Sequence, residues 1–156
     1  MLSWTEIETR ASAFQKKWRD SSGTEKQDDQ KFIQDFLLIF GVDWQTGFPQ
    51  HQIFMPNGAP NYIDYLLPGQ ILIEMKSRGR YGDSAHTQAM NYVQALKPEE
   101  TPQLIMVCDF DQVRVFNYQK KHPYKPFKVT ELRKYVRIFR LIAGYGAADE
   151  PKTEIE

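Results

Sequence analysis

Two short apolar runs, residues 61–67 and 71–76, are separated only by Pro68-Gly69-Gln70, and this spacing constrains the chain more than any other feature. Runs of this length, rich in Ile, Leu and Tyr, read as β-strands, and the Pro-Gly turn makes them an antiparallel hairpin. The second run is too apolar for an exposed edge and belongs inside a sheet. Yet the two runs carry Asp64, Glu74 and Lys76, and charged groups are costly to bury without partners. Side chains alternate along a strand, so Glu74 and Lys76 share a face with Leu72, while Ile71, Ile73 and Met75 point the other way. The turn decides where Asp64 goes. A two-residue turn pairs Asp64 with Ile73 and separates the acids; a three-residue turn pairs Leu67 with Ile71 and sets Asp64 opposite Glu74. Two carboxylates brought together suit a hard divalent cation, and a lysine beside them can handle water and developing negative charge. The plainer reading is a half-buried hairpin with a solvent-facing ion pair.

The 156 residues, 41% of them hydrophobic, are enough for one α/β domain with a substantial core. The single cysteine, Cys108, excludes an internal disulfide framework and fits a reducing cytoplasm. It stands in an apolar run and reads as a buried structural thiol. No segment has the length and hydrophobicity of a membrane span or a signal peptide, so a cytoplasmic location is expected. Formal net charge is zero, whereas a freestanding nucleic-acid binder carries a basic excess. Positive charge concentrates in residues 120–140, and the acidic tail from Asp149 reads as a linker.

Helical spacing of Trp4, Ile7, Ala11, Phe14 and Trp18 after a Ser3–Glu6 capping box predicts a first helix to about Asp20. A second capping box at Thr24–Gln27 opens a helix to about Phe40, stopped by Gly41. Residues 42–49 read as a loop and residues 50–55 as a strand. The hairpin follows, then a polar connection to Gly82. A helix capped by Asp83 or Ser84 is predicted to about Leu96, then strands over 103–108 and 112–118 around an Asp109-Phe110-Asp111 turn. A last helix is predicted from Thr130 to about Ala143. Strands on either side of the 84–96 helix are expected to be parallel, giving a mixed sheet.

Asp64, nine residues, then Glu74-Met75-Lys76 resembles the PD-(D/E)xK nuclease signature. With Gln30 to Phe36 and Gln88 to Tyr92, it resembles the N-terminal endonuclease domain of MmeI-like type IIG and IIL restriction–modification enzymes, across most of residues 24–142. Ile63 stands where the signature has proline, a common departure. The resemblance implies a restriction-endonuclease-like αβββαβ core within residues 23–145. An extra helix over 1–22 and a C-terminal helix would flank it, and 146–156 would lead toward a helical spacer and methyltransferase absent here. It also implies hydrolysis of DNA phosphodiesters with Mg²⁺, Mn²⁺ substituting. Asp64, Glu74 and the Met75 backbone carbonyl would hold the metal, and Lys76 would orient water or neutralise charge. Glu25, Gln88 and Tyr92 would support the site, and Arg78, Arg80 and Arg137 would meet DNA phosphates. Gln30 is an alternative polar contributor to Glu25. Implied partners are double-stranded DNA, methyltransferase and target recognition domains, and a transient second copy for double-strand cleavage. Competing readings are a stand-alone repair-type nuclease and a nuclease-fold module that binds DNA without cutting it.

Overall fold

Ser3 begins the first element: its hydroxyl accepts a hydrogen bond from the Glu6 amide at 3.1 Å, and helix α1 runs Trp4–Trp18. Such a cap contributes about 1 kcal/mol. The reciprocal half of the capping box is not made, because Glu6 turns instead to Arg10, one helical turn on, at 3.0 Å. The computed structural model of the chain describes residues 1–21, 25–80 and 82–146, without the side chains of residues 25–27 and 83. The Thr24 capping box and the acidic tail therefore lie outside the described residues.

Helix α2 runs Glu25–Ile39. Gly41, at φ +77°, ends it, with the Gly41 and Val42 amides bonding back to the carbonyls of Leu38 and Leu37. That pair of bonds is the Schellman stop, which glycine makes at low cost. A 3₁₀ turn, Trp44–Thr46, then leads into strands β1 (Phe48–Phe54), β2 (Pro60–Leu67) and β3 (Ile71–Met75). Helix α3 (Asp83–Gln94) connects to β4 (Leu104–Cys108) and β5 (Gln112–Asn117), followed by two short strands, β6 (His122–Pro123) and β7 (Phe127–Lys128). The α2-β1-β2-β3-α3-β4 succession is the expected αβββαβ core.

The sheet order is β1-β2-β3-β4-β5-β6, with β7 also on β5. Only β3 and β4 are parallel, so the sheet is mixed. The turn has three residues: Leu67 pairs with Ile71, and the ladder continues through Leu66–Leu72 and Tyr65–Ile73. Ile71, Ile73 and Met75 pack with α1 and α2 on one face, and Leu72 packs with Ala85, Ala89 and Tyr92 of α3 on the other. All five residues of β3 are buried, as an interior strand requires.

Three expectations are corrected. Helix α3 starts after Gly82, which makes no side-chain cap bond, so neither Asp83 nor Ser84 is its N-cap. The predicted 42–49 loop holds the 3₁₀ turn and yields its last two residues to β1. The final helix is a 3₁₀ helix over Val129–Phe139. Val129, Leu132, Tyr135 and Ile138 recur every three residues, as do Val136 and Phe139, and three residues per turn align each set. This helix lies against α1, where the Arg133 amide bonds Gln15 and the Arg137 guanidinium sits 4.5 Å from the Trp4 ring.

Candidate active site

Regular pairing of β2 fails at Asp64 on both sides. The β1 ladder runs Pro49–Tyr65 and then His51–Ile63, skipping Gln50 and Asp64. Gln50 has φ +47°, a conformation rare outside glycine, so it does not extend the ladder. The β3 ladder stops one pair short of Glu74. Facing also changes here: Ile63 and Leu66, three apart, lie in the same α3-side cluster, whereas an unbroken strand puts such residues on opposite faces.

Side chains fill the gap. The Glu74 Oε1 accepts from the Asp64 amide at 2.9 Å, and the Asp64 Oδ2 accepts from the Met75 amide at 2.7 Å. Each acid thus caps an amide of the opposite strand. These crossed bonds link the two acids across β2 and β3 where the regular ladder has stopped. Glu74 is only 3% exposed, and Asp64 is half-buried.

Lys76 follows at the end of β3, its amide bonded to the Cys108 carbonyl at 2.8 Å. Its Nζ donates to Gln88 Oε1 of α3 at 2.6 Å. Above them opens a polar cleft of about 590 Å³ lined by Lys76, Ser77, Arg80, Ser84, Ala85 and Gln88. Among the described residues no acid lines it, and two of the six are cationic, a composition suited to a phosphate.

The remaining sequence candidates divide. Arg80 lines this cleft. Arg78 turns away: its guanidinium reaches the Phe110 carbonyl at 3.5 Å and Asp111 at 3.6 Å, bracing the β3 exit against the β4–β5 turn. Asp109 organises that turn, accepting from the Asp111 and Gln112 amides, and also accepts from Gly79. Tyr92 is 4% exposed within the α3-side core. Arg137 rests on Trp4, among the helices on the opposite face of the sheet. Glu25 is the first residue of α2, and its side chain lies outside the described residues. Burial pushes the Cys108 thiol far above its ordinary range, which keeps it protonated and poorly nucleophilic.

The sequence reading passed over Asp29, Trp44 and Gln50, and gave Gln30 only as an alternative. Gln30 Nε2 donates to the Asp64 carbonyl at 2.9 Å, and Gln30 Oε1 accepts from the Trp44 indole at 3.0 Å. Asp29 is 9% exposed. Burial raises its pKa above the ordinary 3.8, against the lowering effect of Gln30 backbone and side-chain hydrogen bonds. A signal existed: Asp29 stands three and four residues before Phe32 and Ile33, and Gln30 three before Ile33, in phase with the apolar stripe of α2.

Among the described residues, no group of three or more His, Cys, Asp and Glu side chains is placed to hold a metal ion. The crossed bonds tie the Asp64 and Glu74 side chains to the facing strand, and carboxylate oxygens are donors whose chemistry suits a hard cation such as Mg²⁺. No described helix is long and apolar enough to cross a membrane.

The family described as MmeI, N-terminal domain, matches residues 9–154. Among solved structures, a chain of the cryo-EM structure of a DrdV–DNA complex superposes with a TM-score of 0.61 over 89% of this chain, at 10% identity. This chain spans 14% of that chain's length, and the likeness is one of fold. No curated protein matches.

Proposed function

We propose that this chain, which belongs to the MmeI N-terminal domain family, is a restriction-type DNA endonuclease domain that hydrolyses phosphodiesters at Asp64, Glu74 and Lys76. The observation that carries this reading is the crossed pair of bonds between Asp64 and the Glu74–Met75 segment, with Lys76 following on the same strand and bonded to Gln88.

Asp64, Glu74 and the Met75 carbonyl would hold Mg²⁺, with Mn²⁺ as substitute. When bound, that ion supplies Lewis-acid polarisation of the phosphate and a water of lowered pKa. The chain's own residues position the reactants. Gln88 fixes the Lys76 ammonium beside the carboxylates, where it orients the attacking water and offsets charge developing on the phosphate. Arg80, across the cleft, takes a neighbouring phosphate of double-stranded DNA. Arg78 and Tyr92 act through packing, one bracing the exit loop and the other seating α3.

The nuclease unit comprises residues 23–145, with helix α1 an addition at its N-terminal side and residues 146–156 a linker. In a longer protein it would work with an adenine-specific methyltransferase and a target recognition domain, as a type II deoxyribonuclease in the cytoplasm. A second copy would pair transiently to cut both strands.

The test is cleavage of supercoiled plasmid in Mg²⁺. The wild type should nick, and Lys76→Ala and Asp64→Ala should be slower by about 10²-fold or more. Equal rates for all three proteins would remove the proposed site.

A further inference from the structure

A hydrogen-bonded ring encloses the backbone at Asp64 from the helix side of the sheet. Gln30 of α2 donates from Nε2 to the Asp64 carbonyl at 2.9 Å. The indole of Trp44 donates to Gln30 Oε1 at 3.0 Å. The hydroxyl of Tyr65, the residue after Asp64, donates to the Trp44 carbonyl at 3.0 Å. The ring thus starts and ends on consecutive residues of β2, passing through α2 and the 3₁₀ turn.

Each link has one permitted direction. An indole N–H can only donate, so it fixes which end of the Gln30 amide faces Trp44 and turns the NH₂ toward Asp64. Tyr65 is fully buried, and burial raises its pKa, so its hydroxyl stays protonated and remains a donor. Neither ladder includes Asp64, and side chains hold its peptide instead, Glu74 on the amide and Gln30 on the carbonyl. Both contacts that align the carboxylates depend on that residue: one uses the Asp64 amide, the other its side chain.

We infer that Gln30 is a positioning residue for the metal-binding carboxylates, acting through the backbone of Asp64 and oriented by Trp44. The inference rests on the metal-site reading above. Gln30 meets Asp64 at its backbone carbonyl and does not line the cleft; it sets where the Asp64 carboxylate stands relative to Glu74. Partners that orient metal ligands from outside the coordination shell change metal affinity by about 10- to 100-fold when removed.

The experiment is calorimetric titration of Mn²⁺ into the full chain, alongside thermal melting. Gln30→Met keeps side-chain length and loses the hydrogen bonds to the Asp64 carbonyl and the Trp44 indole. Gln30→Glu keeps the acceptor for Trp44 but replaces the donor to Asp64. Both should weaken Mn²⁺ binding by about tenfold or more at temperatures well below the melting transition. Trp44→Phe should weaken it less, since the Gln30 donor is retained but no longer oriented. A merely structural role would lower the melting temperature and leave the affinity of the folded protein unchanged. Wild-type binding with unchanged affinity in both Gln30 variants overturns this inference alone. Absence of Mn²⁺ binding by the wild type overturns the metal-site reading together with it.

Discussion

Asp29 lies within the α2 stripe that otherwise carries Phe32, Ile33 and Phe36, and the fold raises the pKa of its carboxyl. Desolvation is the main cause, helped by the charge of Asp28. The sign of the consequence follows from linkage. Between the ordinary value of 3.8 and its raised value, the folded state binds more protons than the unfolded state. Stability contributed by this group is therefore lost as pH rises through that window. Asp29→Asn, which keeps an acceptor for the Gln30 amide, should remove the loss. Melting curves across that window and above should show the variant gaining on the wild type as pH rises, then holding a constant lead. A lead independent of pH would mean that Asp29 does not titrate differently in the fold. The three charged residues of the hairpin were legible in the sequence because they interrupt apolar strands. Gln30 was only half legible, since its partners, Trp44 and the Asp64 carbonyl, lie 14 and 34 residues away.

At the scale of elements, turn parity carried the most information. Three residues between the strands fix Leu67 opposite Ile71, and that register carries the ladder to Tyr65, next to Asp64. The break in the ladder did not follow, because it depends on Gln50 adopting a left-handed conformation on a different strand. The 3₁₀ winding of the last helix was likewise hidden behind a pattern acceptable to an α-helix. It becomes readable only when the three-residue recurrence of its buried positions is set against the α3 side, where Ala85, Ala89, Tyr92 and Val93 follow wider spacing. The junction between the Trp44–Thr46 turn and β1 is a sharp test of element packing. A Cβ at Gly47 would collide with the Tyr65 hydroxyl and approach the Leu66 carbonyl to 2.8 Å. Gly47→Ala should therefore displace Tyr65 from the Trp44 carbonyl and cost about 1–3 kcal/mol in chemical denaturation. Unchanged stability would show that this junction yields more easily than its packing implies.

Across the whole molecule, the sheet separates two kinds of surface. The α3 side carries Lys76, Arg80 and Gln88, while the other side carries the α1–α2 layer and the 3₁₀ helix that holds much of the basic 120–140 stretch. Arg137 is spent on Trp4, and Arg133 bonds Gln15 and Ser12 of α1. Arg137→Ala should accordingly lower the melting temperature by a few degrees, from loss of about 1 kcal/mol of cation–π attraction. Fluorescence anisotropy with duplex DNA should show its affinity changed less than twofold; a large loss would place DNA on that face instead. With zero formal net charge, the chain should bind duplex DNA only at roughly the micromolar level or weaker at physiological salt. Nanomolar affinity in the same assay would contradict that expectation. The most direct measurement of the central claim is anomalous diffraction at the manganese edge from crystals of this chain soaked in Mn²⁺. The account predicts a peak between the carboxylates of Asp64 and Glu74, beside the carbonyl of Met75. An empty position there, or manganese bound only elsewhere, would contradict it.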